Sequence, residues 1–559
     1  MDEVLKTAIR DALETLKLPM VDFTVEHPSE LAHGDYACNV AMVVAKEAGK
    51  SPRAIAELIQ TTITDQIEYV EKIEIAGPGF LNFYLARDFF TQEIIRAQKE
   101  GAKWGSNQTQ EGEVVLVEYT SPNLFKPLHI GNLVGNIIGE SLSRLFIFSG
   151  AEVVRCNYPS DIGLTVAKGV WGLLKNNLNP EDITALGEAY RKGNDAYEKE
   201  GIEKEEIIAI NQTLYTGTDA TLMALRNTGI ATSKARLHDL CVMLGTEFDV
   251  EIFESEASYP GLQIVKEHVG DVFEESEGAI VFKGEKVGLH TRVFISSKGL
   301  PTYEAKDIGH FTLKVATTPH WTQSLIVTAN EQSEYFKVVF AAIEELFPQV
   351  SDKSLEHIAT GFLTLTTGKM SSRKGNVLTG ESLLEEMKEA AHARALETRS
   401  ENINELTEQI AVAALKYQIL RSGIGSNIVF DKEKALSFEG DSGPYLQYTS
   451  ARIGSSIGKA RDLGIQGGIQ NVPEIPYMLE RLLYRFPEVI EHALQERQPH
   501  HVITFITHLA GTFNSFYAQE KIADVDDIYA PYKVLMAEVV QQTIKNGLWV
   551  LGIKAPERL

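Results

Sequence analysis

The chain has 559 residues, 44% of them apolar, which is enough for roughly three to four domains with a core in each. No stretch approaches the ~18 uninterrupted apolar residues of a membrane span, and the N-terminus, MDEVLKTAIRDALETLKL, reads as an acidic amphipathic helix rather than a signal peptide; a soluble, cytoplasmic protein is expected. A formal net charge of -24 excludes nonspecific coating of nucleic acid, so a selective binder would have to set local basic clusters in a repelling background.

In chain order, the first hundred or so residues alternate helical patterns (Glu3 to Lys17, Ser51 to Gln66) with strand-like runs (Val21 to Val25, Ile73 to Leu85), an α+β module. A polar linker follows from Glu100 to Glu113. The runs VVLVEY, EVVRCNY, GAIVF and SLIVTAN then alternate with helical stretches, the order of a mostly parallel sheet with crossover helices. Charged, strand-free sequence between Leu173 and Glu205, with helical patterns on both sides, marks a helical insertion around residues 170–240. From about Leu383 nearly every window has a helical period, broken by a long loop from Ile465 to Pro476. The expected division is therefore 1–105, 112–382 and 383–559. Cys38, Cys156 and Cys241 are too far apart to form a C-x-x-C pair and are expected to be ordinary semi-buried thiols.

Two segments carry chemistry. The first, SPNLFKPLHIGNLVGN (Ser121 to Asn136), joins the apolar strand VVLV to a helix with Ile130, Leu133, Val134, Ile137, Ile138, Leu142 and Leu145 on one face and Gly131, Gly135 and Gly139 recurring every four residues. A tight loop between a first strand and a helix N-terminus is an anion site, because unpaired N–H groups and the helix dipole point into the crevice. His129 is placed to donate to a phosphate oxygen, and Gly131 leaves space for a flat base or ribose. A capping histidine and glycines for tight packing would account for the same letters. G-N-L-V-G-N is not the dinucleotide-binding G-x-G-x-x-G. The second segment, GKMSSRKGN (Gly368 to Asn376), puts three cations and two hydroxyls between glycines, a loop suited to a triphosphate and to the departure of pyrophosphate.

Together, H-I-G-N and K-M-S-S-R-K-G resemble the H-I-G-H and K-M-S-K-S signatures of class I aminoacyl-tRNA synthetases, and S-P-N-x-x-K-P-L-H-I-G is similar to the arginyl-tRNA synthetases in particular. HGDYACNVAM (His33 to Met42) and GPGFLNFYL (Gly77 to Leu85) resemble that family's additional N-terminal domain. GPYLQYTSARI (Gly443 to Ile453), FNSFY (Phe513 to Tyr517) and NGLWVLGIKAPERL (Asn546 to Leu559) resemble its anticodon-binding domain. The resemblance implies an α/β fold: a Rossmann-type parallel-sheet catalytic domain between an N-terminal α+β domain that binds tRNA and a C-terminal all-α anticodon-binding domain. It also implies activation of L-arginine with ATP and Mg²⁺, then transfer to the 3' end of tRNA(Arg), with tRNA usually needed for the first step and no metal ligand supplied by the protein. A monomer is expected.

Carried over residue by residue, the resemblance gives His129 to the α-phosphate and Asn132 to the ribose region, beside Gly131. Lys369 and Lys374 would hold the β- and γ-phosphates in a loop with Met370, Ser371 and Ser372. Tyr303, Asp307 and Glu254 would line the guanidinium pocket, since a planar fork of donors is best met by oxygen pairs. Asn123 and Gln332 would bind the backbone end of arginine. Lys298 and Lys306 read as surface charges, and for Glu254, between Glu251 and Glu256, a solvated acidic face is the lesser alternative to the pocket role. Arg421, Arg452, Lys459 and Arg461 are candidate tRNA contacts or simply a solvated helix surface.

The sequence departs from the family pattern at Asn132, where histidine is usual, in the LVGN that follows, at Ser372, and in SDIGLTVA (Ser160 to Ala167). Lys126, three residues before His129, is placed to replace the cation missing at Ser372. These departures leave two alternatives: a catalytically weakened paralogue that still binds tRNA, and a class I synthetase for cysteine or another small amino acid. The latter would bury the pocket carboxylates without partners.

Overall fold

The computed structural model describes residues 1–366, 379–398 and 402–557. Two compact units share the chain: Met1–Trp104 with Ile453–Phe486 and Thr512–Thr543 in one, and Gly105–Arg452 with Pro487–Gly511 and Ile544–Leu559 in the other.

The first unit begins with α1 (Asp2–Thr15), β1 (Val25–Glu26), β2 (Tyr36–Cys38), α2 (Val40–Ala48), α3 (Pro52–Ile63), β3 (Val70–Ala76), β4 (Phe80–Leu85) and α4 (Arg87–Glu100). Its sheet is antiparallel throughout, in the order β1-β2-β4-β3. Ser51 starts α3 by accepting from the Ala54 N–H at 3.3 Å, with Pro52 at the first helical position where no N–H is required. Leu5, Ile9, Ile55, Ile59, Phe83 and Phe90 fill the core, and Tyr484, about 400 residues further along, closes it.

In the second unit the order is β5 (Val114–Glu118), α5 (Ile130–Phe148), β6 (Glu152–Asn157), the helical insertion α6 (Leu164–Asn176), α7 (Ile183–Tyr197), α8 (Ile202–Thr216) and α9 (Ala220–Leu244), then β7 (Val250–Glu251) and α10 (Glu254–Glu267). After β8 (Glu274–Ser276), β9 (Ala279–Phe282) and β10 (Arg292–Ile295) come α11 (Tyr303–Thr317), β11 (Gln323–Ala329), α12 (Ser333–Leu346) and β12 (Ser354–Thr360). Five of these strands form a fully parallel sheet in the order β12-β11-β5-β6-β7. The chain winds outward from β5 through β6 to β7, then returns to lay β11 on the other side. The topological switch therefore falls between β5 and β11, where open parallel sheets bind ligands beyond their carboxyl ends.

GAIVF does not join this sheet. It forms β9 of a separate antiparallel sheet, β10-β9-β8, whose Phe282 and Phe294 pack with Phe273 in the same core as Leu116 of β5 and Cys156 of β6. An apolar run specifies a strand but not its sheet.

The remaining elements are β13 (Leu363–Leu365), α13 (Gly380–Leu396), α14 (Ile403–Leu420), β14 (Ile428–Phe430), α15 (Lys432–Ala435), α16 (Gly443–Asp462), α17 (Met478–Leu483), α18 (Phe486–Gln495), α19 (His500–Gln519) and α20 (Ala530–Val550). Apart from β14, which pairs in parallel with β13, this C-terminal region is helical, and Ile465 to Pro476 is a loop. The three cysteines are free and buried, and burial pushes each thiol up to about 12.

Candidate active site

The loop from β5 to α5 is strained, and the strain is held from two sides. Thr120, Ser121 and Phe125 have φ of +75°, +37° and +70°, a backbone region that non-glycine residues seldom enter. For the β-branched Thr120 the cost is on the order of 1–3 kcal/mol. Asn132 and Asn136, one helical turn apart on α5, both grip that residue. The Asn132 amide donates to the Thr120 carbonyl at 2.6 Å and the Asn136 amide to the Thr120 hydroxyl at 3.0 Å. On the other side the loop pairs with Ser160: Leu124 donates to the Ser160 carbonyl at 3.0 Å, and Ser160 donates to that of Pro122 at 2.9 Å. Buried Phe125 lies where Gly169 and Gly229 of the insertion lack side chains; a Cβ at either would come within 2.5 Å of its ring. Of the three glycines spaced by four, only Gly139 is demanded by packing, because a Cβ there would meet the Tyr119 ring at 2.3 Å.

His129 caps α5, with Nδ1 accepting from the Gly131 N–H at 3.1 Å. Capping and anion binding are thus compatible readings of one residue. With Nδ1 engaged as the acceptor, the proton of the neutral ring sits on Nε2. Partial desolvation and the nearby Lys126 charge hold the ring below the usual histidine value, which favours that neutral donor.

A cavity of about 560 Å³ opens at the switch point. His129, Gly131, Asn132 and Asn123 line one side, and Glu254, Tyr303, Asp307 and Gln332 the other. The structure therefore gathers eight of the predicted site residues. Lys126 is not among the lining residues, and burial with the neighbouring Lys168 lowers its pKa. Lys369, Met370, Ser371, Ser372 and Lys374 lie outside the described residues.

Asp307 accepts a hydrogen bond from the Tyr335 hydroxyl at 2.5 Å and has no cationic partner among the described residues. Burial pushes its carboxyl up to about 8, with Glu118, Glu254 and Glu304 adding to the rise against the pull of Tyr335. Glu254 is in a different state. It is buried and ion-paired with Lys306, whose ammonium also donates to the Tyr215 hydroxyl at 2.8 Å.

One expectation fails here: Lys306 is no surface charge, being 5% exposed; the alternative of a solvated acidic face for Glu254 falls with it, since that carboxylate is buried. The cause is the close approach of α10 and α11. A Cβ on Gly261 would lie 1.8 Å from the Ala305 carbonyl oxygen, and one on Gly309 would lie 2.1 Å from that of Ala257. Lys298, by contrast, is exposed as expected.

Sequence reading missed the cavity floor. Glu118, at the end of β5, accepts from His310 Nε2 at 2.8 Å and Lys314 Nζ at 2.7 Å. Burial alone would raise its pKa, but Lys314 and His310 override that and hold it well below the carboxylate range. The His310 ring stacks on Tyr158 with centroids 3.8 Å apart. The available signal was a lone acid closing an apolar strand, together with His310 and Lys314 continuing the helix face of Asp307 at i+3 and i+7. Asp161, in the divergent 160s, is occupied structurally. It accepts from Arg226 of α9 at 2.5 Å, and from the backbone and hydroxyl of Ser255 in α10 at 2.8 and 2.7 Å.

Among the candidate tRNA contacts, Arg421 is ion-paired with Asp441 at 2.5 Å and Arg461 with Glu538 at 2.9 Å.

Residues 93–432 match the family model for the catalytic domain of class I tRNA synthetases of the arginine type. Over 573 aligned positions the chain is 30% identical to an arginine–tRNA ligase of Fusobacterium nucleatum, covering 99% of this chain and 98% of the relative. This chain belongs to the arginyl-tRNA synthetases. The synthetase's residues 3–85 match the arginyl-tRNA synthetase N-terminal domain, and residues 446–559 match the DALR anticodon-binding domain. It is also similar to an arginine–tRNA ligase of Borrelia duttonii, at 27% identity over 99% of this chain and 97% of that one. Among solved structures, arginyl-tRNA synthetase of Thermus thermophilus superposes with a TM-score of 0.82 at 25% identity, over the full length of both chains. That of Plasmodium falciparum shares the fold, with a TM-score of 0.81 at 22% identity, covering 100% of this chain and 99% of that one.

Proposed function

We infer that this synthetase activates L-arginine with ATP and transfers the arginyl group to the 3' end of tRNA(Arg). The observation that carries the reading is the pairing, in one cavity, of a helix N-terminus with the half-buried Asp307, whose carboxyl has a tyrosine but no cation as partner among the described residues. One end suits phosphate and the other a guanidinium.

In the first step the arginine carboxylate attacks the α-phosphorus in line, a P–O bond to the β-phosphate breaks, and pyrophosphate leaves with the electron pair. No protein nucleophile is required; positioning and charge neutralisation supply the rate. His129 Nε2–H donates to an α-phosphate oxygen, and the N–H groups at the start of α5 add their dipole. Asn132 has its amide committed to Thr120, which leaves its carbonyl oxygen to accept from a ribose hydroxyl beside Gly131. Asp307 and Tyr303 take the guanidinium, while Asn123 and Gln332 hold the amino-acid backbone. Glu254, neutralised by Lys306, shapes the pocket wall and leaves one carboxylate for one substrate cation. Lys369 and Lys374, with Met370, Ser371 and Ser372, serve the leaving phosphates, and Lys126 adds positive potential behind His129.

Mg²⁺ would enter on the triphosphate, held by phosphate oxygens and water, as small hard cations that keep their hydration usually are. Residues 1–105 and 383–559 serve tRNA, around a catalytic segment at 112–382. The enzyme works as a cytoplasmic monomer.

Charging of tRNA with radiolabelled arginine under ATP and Mg²⁺ tests the reading directly. Arginylation well above background is expected. Background counts with intact tRNA binding would mark a weakened paralogue, and pyrophosphate exchange with another amino acid in place of arginine would reassign the substrate.

A further inference from the structure

Away from the cavity, the sequence HALQERQPHH runs through the turn between α18 and α19, and none of its residues is used by the proposed reaction. We propose that His492, Glu496 and His501 form a binding site for one divalent transition-metal ion of the zinc class.

His492 and Glu496 are one helical turn apart, and His501 comes back over them from the start of α19. One ligand atom from each lies within 4.8 Å of the other two. His492 Nε2 is 3.5 Å from Glu496 Oε1, His501 Nε2 is 2.7 Å from Glu496 Oε2, and the two imidazole centroids are 4.5 Å apart. In a tetrahedral zinc centre with bonds of about 2.0–2.1 Å, donor atoms stand roughly 3.3 Å from one another, so these three need only small side-chain rotations. Two imidazoles and one carboxylate suit zinc and its first-row neighbours and leave a fourth position for water.

The turn is also fixed in advance. Arg497 adopts a left-handed backbone, with φ of +57°. Its guanidinium is drawn away from the cluster, donating to the Leu494 carbonyl at 2.7 Å, pairing with Glu356 at 3.4 Å and lying 4.7 Å from the Phe146 ring centroid. Gln498 accepts from the Ile424 N–H at 2.8 Å and pins the chain just before His501. The nearest cation of the turn is thereby turned away from the site, and the three donors are positioned without metal.

The test uses the full-length chain, stripped with chelator and desalted, then titrated with Zn²⁺ by calorimetry and with Co²⁺ by visible absorption. One saturable equivalent is expected. His492→Ala and His501→Ala each weaken it by roughly ten-fold or more. Glu496→Gln weakens it less, and His320→Ala, at an exposed histidine elsewhere, leaves it unchanged. Zinc should raise the melting temperature of the wild type but not of the His492→Ala/His501→Ala double variant. Circular dichroism confirms that each variant is folded. No saturable binding by the wild type, or binding of equal strength in the double variant, overturns the proposal.

Discussion

Two carboxylates face the same cavity from neighbouring positions, and they are opposites. Glu118 meets Lys314 and His310 inside the fold, and its charge is fully supplied. Asp307 lies on the same face of α11 as Lys314 and His310, yet it has only the neutral hydroxyl of Tyr335. A buried carboxylate whose cation comes from its own chain holds the structure together. One that lacks a cation carries a standing cost that a cationic ligand removes.

Removing the supplied partner should produce the largest effect. Glu118→Gln leaves the Lys314 ammonium buried without a counter-charge, and chemical denaturation should register a loss of about 3–5 kcal/mol. An unchanged midpoint would dissolve the contrast with Asp307.

Asp307→Asn should behave in the opposite way. The arginine requirement in tRNA-supplemented pyrophosphate exchange should rise on the order of 10²-fold, as expected for truncating one member of a buried charge pair, while that for ATP stays near wild type. Equal effects on both substrates would contradict the pocket assignment. Stability should move the other way. The folded carboxyl titrates at about 8, above the ordinary aspartate value of 3.8, so the native state binds the extra proton and loses stability as pH rises between the two values. Asparagine removes that cost, and the variant should gain on wild type in melting temperature as the buffer goes from acidic to mildly alkaline.

If Asp307 takes the guanidinium as proposed, the same proton governs substrate affinity. A guanidinium needs the ionised carboxylate, so arginine binding expels the proton. The KM for arginine should therefore fall as pH rises through about 8 in the wild type and stay level in Asp307→Asn.

The smallest expected effect concerns the loop on the other side of the cavity. Asn132→Ala removes one hydrogen bond to the strained Thr120 carbonyl, worth about 0.5–1.5 kcal/mol, so kcat should drop by roughly three- to ten-fold with little change in the arginine KM. If Asn132→His raised activity instead, the asparagine would mark a tuned-down enzyme rather than a rebuilt loop.

What could be read from the letters, and what could not, follows the distance over which the physics acts. The strand, loop and helix N-terminus proposed to hold an anion are legible because they are consecutive, and so is the placement of Tyr303 and Asp307 one turn apart on α11. The Glu254–Lys306 pair was hidden because it depends on α10 and α11 meeting at two glycines 48 positions apart, a packing event invisible in either helix alone. Glu118, His310 and Lys314 were missed for a related reason: the strand end and the helix are nearly 200 residues apart in sequence. GAIVF is legible as a strand but its sheet is not, since its apolar run packs into a core shared with the parallel sheet whether or not it pairs with that sheet's strands.

The first unit has a consequence for synthesis on the ribosome. Its N-terminal 104 residues bury Asp35 against Arg481 and complete their apolar core with Tyr484, side chains that are translated about 380 residues later. At about 5–20 residues per second the nascent module waits about 20–75 s for them, with a carboxylate awaiting its cation and an aromatic gap in its core. A segment made well before its partners is therefore among the last to reach its final state, and that interval is when a nascent-chain chaperone would find the most to hold.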